Sequence, residues 1–82
     1  MSDVNFAYIE FEHGDIEEII GELWRATRCE VVAVCFGELV VGFEDMEFTK
    51  FSELAKQAVW KHNDGLYCSV VPRSYEDIEY LL

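Results

Sequence analysis

Hydrophobic and polar positions change their period repeatedly along this chain, and each change predicts an element. Val4 to Glu12 alternates, with Ala7, Ile9 and Phe11 on one side and Phe6, Tyr8 and Glu10 on the other. That is the period-2 pattern of a strand with two unlike faces. Ile16, Ile19, Ile20, Leu23 and Trp24 then follow the spacing of one helical stripe. Asp15 and Glu18 fit a capping box ahead of it, and acidic residues in the first turn with Arg25 and Arg28 in the last suit the helix dipole.

From Glu30 to Asp45 two β-branched runs flank Gly37-Glu38, and a Gly-X pair suits a two-residue type II′ hairpin turn. Such a turn predicts Phe36 opposite Leu39, Val34 opposite Val41 and Val32 opposite Phe43 on one apolar face. The reverse face then pairs Cys35 with Val40, Ala33 with Gly42 and Val31 with Glu44. A second helix is predicted over Thr49 to Asn63, with Phe51, Leu54, Ala55, Ala58 and His62 in its stripe, Trp60 on the opposite side and Gly65 as a left-handed cap. Leu66 to Val71 reads as a strand that stops at Pro72. Ser74 with Asp77 opens a short terminal helix whose apolar side is Tyr75, Ile78, Leu81 and Leu82.

The order strand, helix, hairpin, helix, strand is that of a single α+β domain over residues 1–82, a ferredoxin-like split β-α-β (β-α-β-β-α-β) with a short C-terminal helix. Right-handed crossovers put the first and third strands inside an antiparallel sheet, the second and fourth at its edges, and the helices on one face. The other face is left for a partner, a dimer mate or the terminal helix.

Composition adds a constraint on partners. Seventeen acidic residues against six basic ones give a net charge of −11 on a chain that is 51% hydrophobic, so the charge sits on a folded body. Such a field repels nucleic acid and anionic membrane and attracts basic protein surfaces. Neither a basic leader nor a long apolar stretch is visible, and the three cysteines, Cys29, Cys35 and Cys68, show no paired spacing. A cytoplasmic protein with reduced, core-filling thiols is therefore expected.

Candidate chemistry is sparse. Cys29, Cys35 and Cys68 lack the clustered spacing of a zinc site, and Gly14, Gly21, Gly37, Gly42 and Gly65 are scattered where a phosphate loop would group them. Glu38 to Asp45 lacks the basic and aromatic pattern of an RNA-reading strand. No enzyme activity, cofactor or metal is expected; a catalytic alternative would rest on His13 or His62 as general base.

The remaining feature is an acidic shell interleaved with Phe6, Tyr8, Trp60, Tyr67 and Tyr80, which the periodicity leaves outside the core. This matches a binding face with aromatic anchors, although the terminal helix could cover Phe6 and Tyr8, and Trp60 could lie along the Lys56 stem or under Tyr80 or Leu82. In length, charge and compactness the chain resembles the small acidic phage-encoded anti-defence proteins, the anti-CRISPR and anti-restriction DNA mimics. The resemblance implies a stoichiometric inhibitor seated on a basic nucleic-acid-binding groove of a host defence complex or nuclease. The residues assigned to partner binding are Glu17, Glu18 and Glu22 on the first helix, Glu44, Asp45 and Glu47 after the hairpin, and Trp60, Phe6 and Tyr8 as anchors. The alternative is a homodimeric structural or regulatory module that could sequester a small ligand, with Phe6, Tyr8, Val31, Val40 and Tyr67 between subunits.

Overall fold

The computed structural model describes residues 4–35 and 37–81, with the backbone alone of Cys35. Its elements are β1 (Asn5–Phe11), α1 (Ile16–Thr27), β2 (Glu30–Cys35), β3 (Glu38–Phe43), α2 (Phe48–Asn63), β4 (Cys68–Arg73) and α3 (Tyr75–Ile78), which runs on as a 3-10 turn, Glu79–Leu81. The strands form one four-stranded sheet in the order β2-β3-β1-β4, with every neighbouring pair antiparallel. The first and third strands are thus interior, as right-handed crossovers require.

Alternation along β1 decides what the sheet buries. Ala7 pairs with Val41 and Pro72, and Ile9 with Leu39 and Val70, so these side chains share one face. They meet Ile19 and Leu23 of α1 and Phe51, Ala55, Ala58 and Val59 of α2 in one core. Phe43 stacks on Phe51 with centroids 4.0 Å apart and ring planes within 4°. Asp15 caps α1 by accepting the Glu18 N–H at 3.1 Å, and Ser74 and Asp77 form the full capping box of α3. Gly14 has φ +109, and a Cβ there would lie 2.8 Å from Ile19 Cδ1 and 3.0 Å from the His62 carbonyl oxygen. The β1–α1 turn can approach the end of α2 because this residue lacks a side chain.

The hairpin differs from its expected register. Cys35 pairs with Glu38, Val34 with Leu39 and Ala33 with Val40, so the loop is Phe36-Gly37 in place of Gly37-Glu38. Gly37, at φ +80, supplies the left-handed residue at the second loop position. A bulge between Val31 and Ala33 then brings Val31, in place of Val32, opposite Val41 and onto the core. The expected place of the Phe36 side chain lies outside the described residues.

The helical stripes are also rotated at their margins. Ile16 and Trp24 are exposed, and Thr27 takes an inner position by donating its hydroxyl to the Leu23 carbonyl at 2.8 Å and accepting the Cys29 N–H at 3.2 Å. On α2, Val59 and Asn63 are buried while Leu54 and His62 are half-buried, because this helix packs on α1 as well as on β4. The helix ends at Asp64, φ 58, one residue before the expected glycine cap, with Gly65 also left-handed.

The sheet face away from α1 and α2 is not open. Tyr75 of α3 lies 6.2 Å from Phe6 between ring centroids, and Ile78 is fully buried. Val40, opposite Tyr8 on this face, is 1% exposed although it lies outside the main core. Phe6 and Tyr8 are half-buried members of this second layer, so a dimer mate on this face would have to displace α3. Among the described residues, no helix is long and apolar enough to cross a membrane.

Candidate binding surface

The first-helix carboxylates divide into two kinds. Glu22 Oε1 lies 3.3 Å from His62 Nε2 and 3.5 Å from Arg25 Nη2, while its Oε2 lies 3.8 Å from Lys61 Nζ. His62 Nδ1 is 3.4 Å from Glu18 Oε2. Glu18 and Glu22 therefore tie α1 to α2, and Glu17 is exposed one position away. The His62 hydrogen bond above all, with Lys61 and Arg25, holds the Glu22 carboxyl below its ordinary value.

A carboxyl depressed in the folded state contributes stability above its unfolded pKa and loses it as pH falls through the lower folded value. For Glu22 the unfolded value is 4.5, so the loss begins below that pH. Glu22→Gln is expected to remove this component. Its urea midpoint should fall less than that of the parent between about pH 5 and about pH 3, as read by circular dichroism.

The second acidic group surrounds a hollow. Glu44 and Asp45 follow β3, both exposed, with Asp45 at φ 57. Together with Glu30 and Arg28 they line a depression of about 350 Å³ floored in part by Val4 and Val32. The C-terminal end of α1 borders it through Thr27, adding the partial negative charge of that helix end. Among the described residues Arg28 is the one cation that lines it, and its guanidinium lies 4.1 Å over the Trp24 ring. Glu47 stands next along the chain as the exposed N-cap of α2, and its side chain makes no capping bond.

A carboxylate pair that the sequence did not disclose lies on the sheet. Glu10 and Glu38 are direct cross-strand partners on the face away from α1 and α2. Desolvation first, and then the neighbouring Glu10 carboxyl, raise Glu38 above the ordinary carboxylate range. On the same face Arg73 stacks 4.7 Å over the Tyr8 ring. Partial burial and the Tyr80 hydroxyl raise the Tyr8 hydroxyl despite this cation. Tyr8 and Phe6 thus belong to the α3-covered layer, apart from the acidic hollow.

Trp60 is 40% exposed, and its Nε1 donates to the Leu66 carbonyl at 2.9 Å. This bond fixes the α2–β4 connection beside exposed Leu66 and Tyr67, so the indole has a structural partner as well as an open ring face. Tyr80 interacts with Tyr8, and Leu82 lies outside the described residues. Of the histidines, His13 is exposed at φ 63 in the β1–α1 turn, and His62 is engaged by Glu18 and Glu22.

Cys29 is buried and Cys68 half-buried, and burial raises both thiols, Cys68 to about 11. At pH 8 a thiol with that pKa is only about 0.1% thiolate. Iodoacetamide at pH 8 is therefore expected to leave Cys29 and Cys68 unmodified in the folded protein and to modify both in urea, as read by peptide mass mapping. Among the described residues no group of His, Cys, Asp and Glu side chains converges as metal ligands would.

No family model matches the chain, and neither a curated protein nor a solved structure matches it.

Proposed function

We propose that this protein is a non-enzymatic, acidic protein-binding inhibitor, on a ferredoxin-like scaffold, that occupies a basic nucleic-acid-binding surface of a host defence complex or nuclease. The observation that carries this reading is the hollow at the end of α1, which Glu30, Glu44 and Asp45 line together beside a helix C-terminus. Carboxylates held together in this way present to Lys and Arg side chains what a run of phosphates presents. The net charge of −11 supplies the long-range attraction. Glu44 and Asp45 belong to this surface, Glu47 lines a neighbouring depression with Phe6 and Arg73, and Glu17 is on a separate exposed face; Glu18 and Glu22 contribute field while holding the helices together. Trp60 offers an aromatic contact at the far end of α2.

The test titrates the protein against DNA binding by CRISPR surveillance complexes and restriction nucleases. Inhibition that weakens as salt rises and is relieved by combined Glu44→Lys, Asp45→Lys and Glu47→Lys substitutions supports the reading. Inhibition indifferent to salt and to charge reversal, or none against any of these enzymes, overturns it.

A further inference from the structure

The two edges of the sheet are unlike. The β4 edge carries Pro72, which has no N–H, and Arg73, the devices that blunt an edge strand. The β2 edge, Glu-Val-Val-Ala-Val-Cys, has neither proline nor a basic residue, and among the described residues β3 is the one strand that pairs with it. Its bulge lies at Val32, leaving Ala33 to Cys35 in regular pairing with β3. Val34 is 56% exposed although its partner Leu39 is buried.

The first helix shares the side of the sheet on which Val34 lies. Glu22 faces α2 through His62 and Lys61, and α2 packs on β4. At 3.6 residues per turn Trp24 lies about 200° around α1 from Glu22, on the flank away from α2. Trp24 is 50% exposed there. Val34 on the β2 edge and Trp24 on this flank of α1 are thus exposed apolar side chains on the helix side of the sheet.

The opposite side is acidic. By register, Ala33 and Glu30 of β2 share the face of Glu38, which itself pairs with Glu10. Any strand laid along β2 therefore meets Val34 and the Trp24 flank with alternate side chains and carboxylates with the others. A second copy of this chain would bring another −11 to the same edge, which disfavours it as the occupant.

We propose that β2 is a strand-addition site for an extended segment of the target in which basic and apolar residues alternate. Main-chain hydrogen bonds to the β2 edge supply pairing, the Val34 and Trp24 side accepts the apolar residues, and Glu30 and Glu38 accept the Lys or Arg residues. The basic character of this partner rests on the inhibitor reading above; the edge itself does not.

The experiment titrates the isotope-labelled full chain with the capped peptide Lys-Val-Lys-Val-Arg-Val-Lys. It is repeated with a version N-methylated on alternate amides and with one carrying Glu at every basic position. The expected result is slowed amide exchange within Ala33 to Cys35, a shift of the Trp24 indole resonance, and roughly tenfold or greater loss of affinity on N-methylation or in Val34→Lys. The acidic peptide should not bind. Equal binding of the parent and N-methylated peptides would overturn the edge site and leave charge attraction standing. Absence of binding by the parent peptide would also overturn it. Protection of β2 that grows with protein concentration without peptide would identify a second copy as occupant and overturn the proposal too. Protection of β2 by the basic peptide, in a protein whose nuclease inhibition ignores charge reversal, would uphold the edge site and sink the mimicry.

Discussion

Replacing Phe51 by alanine is expected to leave much of the population unfolded at room temperature. Phe51 is fully buried, stacks on Phe43 at 4.0 Å, and stands where α2 meets the sheet. Truncating a core phenylalanine costs about 3–5 kcal/mol from lost transfer energy and the cavity left behind. A domain of this length has a total stability of roughly 4–12 kcal/mol, so a parent in the lower part of that range is brought close to its midpoint. Phe51→Leu keeps most of the volume and should fold with a smaller loss. Urea titration followed by far-ultraviolet circular dichroism checks both; an alanine variant with the parental midpoint would show that the stack is not central to the core.

The second large effect concerns the layer under α3. Ile78 is fully buried, and it is the buried side chain of a helix only four residues long. So short a helix has no stability of its own, so Ile78 holds it to the sheet. Ile78→Ala is expected to cost about 2–5 kcal/mol and to uncover Val40, Phe6 and Tyr8. The exposed face should bind anilinonaphthalene sulfonate and self-associate as concentration rises, because a covered apolar layer has become a surface patch. A stable variant that neither binds the dye nor associates in light scattering would mean that Ile78 does not hold the cover in place.

Much of the scaffold was legible in the sequence because it depends on local period. The alternation of Ala7, Ile9 and Phe11, the stripe around Ile19 and Leu23, and the Ser74–Asp77 box each lie within one element, and each has the expected structure. The hairpin register was not legible, since Gly37 can stand at either position of a two-residue loop and the alternatives move every pair by two. That error hid the apposition of Glu10 and Glu38, which depends on which residues of β3 face β1. The engagement of Glu18 and Glu22 was hidden for another reason. His62 is distant in sequence, and no spacing within α1 announces it. The aromatic side chains at Phe6 and Tyr8 read as anchors because the pattern assigned them to the outer face; the short final helix turns that face into an interior.

The position of β1 has a consequence for how the chain is made. It is synthesised before either of its partners, yet it lies in the interior of the sheet and pairs with β3 on one side and with β4 on the other, as far along the chain as Arg73. Its hydrogen-bonding groups and its Ala7–Ile9 face stay without their full set of partners until β4 is made. Pairing between distant segments is slow to form, and an unpaired apolar strand is prone to aggregate in the meantime. In this chain that interval is spent under a high density of negative charge, including Glu10 and Glu12 at the end of the strand itself. Repulsion between nascent copies would keep β1 from pairing with another chain until β3 and β4 arrive, so the same carboxylates that give the folded surface its field also serve the chain before it has a surface at all.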